Sequence, residues 1–483
     1  MATVKIDTFG GIAPRQHPTQ LADGMAVTAH NCRLKTGKLV PLREPQLVEG
    51  PNILMENGLG DIADAQSMHV WRRADGAFDF ILFPGVTWSA PGNIAADDLT
   101  RIVVSGETGV SFVEPDGESG TKTTLNTPVV YMRDPETGKV IYPIAKNPIG
   151  YPVVSRTDGP IDPTEANIRY TRFFYTWVDK YGMESPVSEP SRNAGTPPVD
   201  DDLQYLDGDS IQFAKPTNLP PLYVAIRVYK VVAGAQEGRV QFVYEISKAQ
   251  IETLSADYFS FTVKDEDAGE IMPEIEAPPA DLSCIHDVPG AFYCGFSPSM
   301  PKTVCFSDVD LLYSWPVAYR YDVADNLVAL AVTSNSVFAL TEGWPYVLSG
   351  TAPESMSVAK LAGPAACVSP RGVCVYRNAV YFVSNQGLMA IFNSADAGTV
   401  CQNLTDKIFT KDQWLALNPS SCVMGQHDGA LFLYFTLADG THKGLTIDLM
   451  DDMKIAVTTH DEAATCLCVD VKEDKMYFVR EGV

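Results

Sequence analysis

Helical periodicity is nearly absent from this chain. Apolar or alternating runs of roughly five to eight residues recur instead, separated by Gly, Asn, Asp and Pro. Phe78-Asp-Phe-Ile-Leu-Phe83, Leu327-Val-Ala-Leu-Ala-Val332, Val337-Phe-Ala-Leu340, Ala379-Val-Tyr-Phe-Val383 and Ala430-Leu-Phe-Leu-Tyr-Phe435 are typical. Their Val, Phe and Tyr content predicts strands, because such side chains suit a pleated, covered surface. One short helix is expected at Thr410-Lys-Asp-Gln-Trp-Leu-Ala-Leu417. There Thr410 caps, Gln413 completes a capping box, and Asn418-Pro419 stops the turn.

The last 200 or so residues repeat a theme of apolar strand, tight turn and second strand ending near a Gly. Asn335-Ser336, Arg377-Asn378 and His427-Asp428-Gly429 fill the turns. Their spacing of about 40 to 50 residues suits β-propeller blades, each a small antiparallel sheet. The stretch Leu340-Thr-Glu-Gly-Trp-Pro-Tyr-Val-Leu-Ser-Gly350 belongs to this series. Pro345 cannot donate to a ladder, so Trp344-Pro345 is expected to mark a strand edge or turn.

Residues 160–275 read differently. Arg169-Tyr-Thr-Arg-Phe-Phe-Tyr-Thr-Trp-Val178 is an expected strand, followed by the Pro-rich edge segment Met183-Glu-Ser-Pro-Val-Ser-Glu-Pro-Ser191. Ala225-Ile-Arg-Val-Tyr-Lys-Val-Val232 and Val240-Gln-Phe-Val-Tyr-Glu-Ile246 form an expected hairpin across Gly234 to Gly238, and Phe259-Ser-Phe-Thr-Val263 adds a strand. About seven strands here indicate a β-sandwich of the fibronectin or immunoglobulin sort. Blade-like strands at 66–105 precede it, so the expected fold is all-β, a β-propeller with an inserted β-sandwich. The expected division is an N-terminal arm at 1–45, propeller at 46–155, sandwich at 156–275 and the rest of the propeller at 276–483. The arm holds six basic against four acidic residues up to Gly50. It is expected to be either a domain-leading strand and turn or an arm laid on a neighbouring subunit.

Composition narrows the function classes. The net charge of −24 comes from 60 acidic against 36 basic residues, so the chain as a whole repels nucleic acid. No run of about 18 apolar residues occurs, and no basic-then-apolar leader opens the chain; no membrane insertion and no secretory signal are expected. The ten cysteines include no C-x-x-C and are expected reduced, as small hydrophobes in a chain assembled in a cytoplasm.

Candidate chemistry is sparse. No phosphate loop, H-E-x-x-H or G-x-S-x-G elbow is present. His17, His30, His69, His286, His427, His442 and His460 show no ligand spacing. Asp200-Asp201-Asp202, Asp207, Asp209 and Asp265-Glu266-Asp267 lack the alternate oxygens and closing Glu of a calcium loop. A glycosidase would need two placed carboxylates, and a sialidase-like site an arginine cluster; the C-terminal region offers only Arg320, Arg371, Arg377 and Arg480. No catalytic, cofactor-binding or metal-ligating residue is expected, and the chain is not expected to be an enzyme.

Phe306-Ser-Asp-Val-Asp-Leu-Leu-Tyr-Ser-Trp-Pro316 precedes Leu340 to Gly350, followed by Pro353-Glu-Ser-Met-Ser357 and Ala366-Cys-Val-Ser-Pro-Arg-Gly372. Ser384-Asn-Gln-Gly-Leu388 and Phe409-Thr-Lys-Asp-Gln-Trp414 complete the order. This series resembles the tail-tube or nozzle proteins of short-tailed bacteriophages. Phe9-Gly-Gly-Ile-Ala-Pro-Arg15, Ala29-His-Asn-Cys32, Gly37-Lys-Leu-Val-Pro41, Tyr181-Gly-Met-Glu-Ser185 and Ile226-Arg-Val-Tyr-Lys230 also look like that family. The resemblance covers most of the chain, least clearly at 90–155. It implies a structural virion protein of the phage tail, a β-propeller subunit in a homohexameric ring below the portal and adaptor. DNA would pass through the lumen during genome ejection without specific binding, and the ring would hold a needle, spike or fibre at its tip. An acidic wall would limit phosphate adhesion. The alternative is a carbohydrate-binding or glycan-cleaving propeller. A third reading, a monomeric adhesin or scaffold built on the sandwich, implies no ring.

Overall fold

The computed structural model describes residues 9–35, 38–73, 75–92, 97–106, 128–134, 138–144, 148, 150–217, 219–220, 222–231, 239–267, 269–394, 398–450 and 454–480. These residues are all-β, with many small sheets and two short α-helices among them. The chain divides into two compact units: residues 1–139, 280–309 and 319–483 in the first, and 140–279 with 310–318 in the second.

Among the described residues the first unit is built from seven sheets of two to six strands and a separate hairpin of Cys32–Lys35 with Lys38–Pro41. Their leading strands are β1 (Ser67–Arg72), β2 (Thr87–Pro91), β3 (Ser283–Val288), β4 (Leu327–Val332), β5 (Val373–Tyr376), β6 (Val423–His427) and β7 (Cys466–Asp470). Each pairs antiparallel with the strand that follows it in sequence. The leading strands also pack side by side in a closed cycle: β1 on β2, β2 on β3, and so on to β7 on β1. Following strands such as Phe292–Ser297, Val337–Thr341 and Ala379–Ser384 are buried at every residue. Such a strand has a neighbouring sheet on both faces, so the sequence runs apolar rather than alternating.

Local turn chemistry sets the registers. Arg377 and Asn378 have φ of 47° and 60°, and Asp428 and Gly429 have 49° and 81°, so both links are two-residue hairpins with left-handed residues at each position. Trp344-Pro345 lies in the connection between Val337–Thr341 and Tyr346–Ser349. There the Thr341 hydroxyl donates to the Trp344 carbonyl at 2.7 Å, and Lys360 Nζ sits 4.0 Å from the Trp344 ring centroid. The pair turns the chain.

The described part of the 1–45 arm lies on its own chain. Gly11–Ile12 pairs in parallel with Ile455–His460, with Gly11 opposite Val457. At φ 89°, a Cβ on Gly11 would stand 2.5 Å from the Val457 carbonyl oxygen, so this contact requires glycine. Arg33 is buried, and its guanidinium donates to Asp448 at 2.6 and 3.1 Å and to Asp428 at 3.0 Å. The same Asp448 carboxylate accepts the Leu34 N–H at 2.8 Å. The expected helix is α2 (Lys411–Leu415), following α1 (Lys248–Thr253) in the second unit, and its Thr410/Gln413 capping box is complete. It inserts Trp414, which donates to the Ser384 carbonyl at 2.7 Å and packs on Phe409 and Phe435.

In the second unit, the expected strand from Arg169 is broken. Arg169–Thr171 pairs with Leu203–Tyr205, whereas Phe173–Asp179 pairs with Tyr223–Val231. Arg172 stands at the switch, its guanidinium held by Asp200 and Asp202 at 2.6 and 2.7 Å. Tyr223–Val231 also pairs with Val240–Ser247; the Gly234 to Gly238 link lies outside the described residues. The other edge of Phe173–Asp179 is covered by the Pro-rich segment. Ser185, Ser188 and Ser191 each donate their backbone N–H to a strand carbonyl, of Trp177, Tyr175 and Phe173. Each hydroxyl oxygen then accepts the N–H of the same strand residue at 2.9–3.0 Å. A serine every third residue thus supplies both partners that a neighbouring strand would. The core of this unit gathers Phe173, Tyr175, Phe213, Ile226, Phe259 and Phe261.

Two expected outcomes follow. Ser188→Ala leaves the Tyr175 N–H buried without its acceptor and should lower stability by about 1–3 kcal/mol in denaturant titration, whereas an exposed serine such as Ser420 should tolerate alanine. His460 is buried beside Tyr434 and over Gly444, where a Cβ would stand 2.0 Å from the ring. Burial pushes its pKa down to about 4 from the ordinary 6.5. Between pH 6.5 and 4 the unfolded chain therefore binds a proton that the folded chain does not, so this contribution is lost as pH falls through that window. His460→Leu should melt with a smaller loss than wild type between pH 7 and pH 4; equal losses would remove His460 from the acid response.

Candidate functional site

The cycle of leading strands encloses a cavity of about 660 Å³ within the first unit, with all seven strands contributing to its wall. On β1 and β2, His69 Nε2 lies 2.7 Å from Thr87 Oγ1 and Nδ1 lies 3.0 Å from Ser89 Oγ. On β3, His286 Nε2 lies 3.6 Å from Cys284 Sγ. Both imidazoles are enclosed by protein, and this loss of solvation pushes each pKa down to about 4. They are neutral at physiological pH.

The remaining polar wall is similarly quiet. Loss of solvation pushes the Cys374 thiol up to about 12 and that of Cys468 well above the ordinary thiol range. Both stay protonated at neutral pH, the poorly nucleophilic form. Arg371 Nη1 donates to the Thr465 carbonyl at 3.0 Å and toward that of Gln66 at 3.4 Å. Asn378 Oδ1 accepts from the backbone and hydroxyl of Ser334 at 3.0 and 2.7 Å. Asp287 is raised from its ordinary value by loss of solvation. Among the described residues it is the only carboxylate in the cavity wall, where a two-carboxylate glycosidase mechanism needs a pair. What this wall can do is hold a small molecule through neutral hydrogen-bonding groups, apolar side chains and one anionic group.

The structure disperses most residues weighed in the sequence. His30 faces Asp461 at 2.8 Å and Thr459 at 2.9 Å, and His427 ends β6 at the turn where Asp428 accepts from Arg33 and Lys35. The aspartates of the second unit meet cations. Asp200 and Asp202 hold Arg172, Asp209 holds Arg156 at 2.7 Å, and Asp265 receives Lys230 at 2.6 Å and pairs with Arg169. Among the described residues no group of three or more His, Cys, Asp or Glu is placed to hold a metal ion. Sequence reasoning missed that His69, His286 and Asp287 line one cavity. The available signal was polar residues inside apolar strand runs, Ser67-Met-His-Val-Trp71 and Cys284-Ile-His-Asp-Val288.

No family model matches the chain, and no curated protein matches it. Among solved structures, apo AztD from Citrobacter koseri is similar at 11% identity and a TM-score of 0.27, over 65% of this chain and 77% of that one. The extracellular domain of BT4673 from B. thetaiotaomicron is similar in two structures. One, described as a one component system, aligns at 11% identity and a TM-score of 0.28 over 93% of this chain. The other, described as a hybrid two component system, aligns at 11% and 0.24 over 89%. The chain spans 60% and 51% of the length of those two. Similarities this weak carry no argument for fold or function.

Proposed function

We propose that the first unit is a seven-bladed β-propeller and the second an inserted β-sandwich. In this reading the chain is a structural subunit of the tail nozzle of a short-tailed bacteriophage. It assembles as a ring, expected hexameric, below the portal and adaptor, lets the genome pass and carries the needle, spike or fibre. The closed cycle of seven leading strands supports the propeller, and the separate core of residues 140–279 supports the insertion.

The observation that carries the tail reading is where the resembling motifs lie. Residues 306–316, 340–350, 353–357, 366–372, 384–388 and 409–414 fall mostly at strand ends, turns and short helices, with Leu340–Thr341 and Tyr346–Ser349 in strands. Of these, only Pro370 and Arg371 reach the described cavity wall. Motifs spent on connections rather than on a cavity suit a protein whose work is geometric. The neutral imidazoles and protonated thiols support a structural role over a catalytic one. The excess of acidic residues suits a conduit that DNA must traverse without adhering.

Native mass spectrometry and negative-stain imaging of the purified chain, with and without the portal–adaptor complex of its phage, test this proposal. The expected result is a ring of about six copies, free or formed on the adaptor. A chain that stays monomeric with the adaptor present, and binds glycans on an array, would replace the nozzle with the carbohydrate-binding alternative.

A further inference from the structure

Among the described residues, the cavity lined by β1 to β7 holds one carboxyl group, Asp287, with no cation among the influences on its ionisation. Its described wall holds the Asp287 carboxyl and the Arg371 guanidinium, two ionisable groups of opposite kind. The Arg371 guanidinium is engaged with backbone carbonyls of Thr465 and Gln66, and its field acts on Cys422 and Cys466. Asp287 has no such company. The influences on its ionisation are burial, which raises its pKa, and its own backbone, with no neighbouring cation among them. The two imidazoles in the same wall cannot supply a positive charge at neutral pH, because their enclosure keeps them deprotonated.

Around this carboxylate the wall is largely apolar. Val86 and Trp88 come from β2 and its approach, Val332 from β4, Val375 from β5, and Val469 from β7. Trp88 is partly buried, and the volume of about 660 Å³ lies within the range of small-molecule sites. We propose that this cavity binds a small organic ammonium, with the charged nitrogen against the Asp287 carboxylate and the apolar body against Trp88 and the valines. A weakly hydrated cation of this kind loses little by leaving water, gains a counter-charge, and can use an indole face. Calcium is the poorer fit, since it requires six to eight oxygen ligands and the described wall presents one carboxylate. An anion would meet Asp287 unfavourably, and a neutral apolar guest would leave that carboxylate uncompensated.

The test uses the full-length protein and benzyltrimethylammonium chloride as the probe, with benzyl alcohol as the uncharged comparison. Isothermal titration at pH 7.5, followed in parallel by tryptophan fluorescence, should show saturable one-to-one binding of the ammonium and none of the alcohol. Asp287→Asn should weaken binding about tenfold or more, with circular dichroism unchanged because the substitution is nearly isosteric. In wild type, binding should also weaken as the pH falls through the raised pKa of Asp287 and the carboxylate takes up a proton. That second readout stands even if the variant misfolds. No saturation up to about 10 mM, equal affinity in Asp287→Asn, or pH-independent binding would each overturn the proposal. The nozzle reading does not depend on the outcome.

Discussion

A sheet of two to six strands cannot bury its own two apolar faces. Everything in the first unit depends on supplying each sheet with neighbours on both sides. The leading strands satisfy this by packing in a cycle, so that no sheet in the series is terminal. Fully buried second strands such as Ala379–Ser384 are the direct consequence: Val380 and Phe382 face the core shared with Phe338 and Leu340, while Tyr381 and Val383 face the one shared with Leu431 and Trp414. Removing one sheet would expose two cores rather than one.

Closing such a cycle joins residues from distant parts of the chain, and polar contacts make those joints specific. The Arg33–Asp448 pair is buried at a sequence separation of 415. A buried ion pair is weak evidence for added stability, but a mispaired alternative would leave one charge buried alone, which is far costlier. Together with the Gly11–Val457 approach, it fixes where the N-terminal segment lies. The second unit meets its open-edge problem in another way. The Ser185, Ser188 and Ser191 comb covers an exposed strand edge without a further strand, in a segment where prolines prevent a ladder.

What the sequence made legible was local. Strand runs, the two-residue turns at Arg377-Asn378 and Asp428-Gly429, the Trp344-Pro345 corner and the Thr410 capping box depend on residues within a few positions of one another. The switch at Arg172 was not legible, because it depends on Asp200 and Asp202 closing on it from the loop before Leu203–Tyr205. The cavity was hidden for the same reason. His69 and Asp287 are separated in sequence by residues 140–279 of the second unit, and nothing near either residue announces the other. The aspartate clusters misdirect in the opposite sense: Asp200 and Asp202 are taken up together by Arg172, Asp209 by Arg156, and Asp265 by Lys230 and Arg169.

The account joins a ring-like arrangement of small sheets to a larger ring of subunits around a DNA path. Electron cryomicroscopy of virions whose genome encodes the chain tests that link most directly. The account predicts density for seven small sheets per subunit, repeated around the tail axis below the portal and adaptor, with an open lumen. Virions that lack the chain, or carry it only away from the axis as a peripheral adhesin, would contradict it.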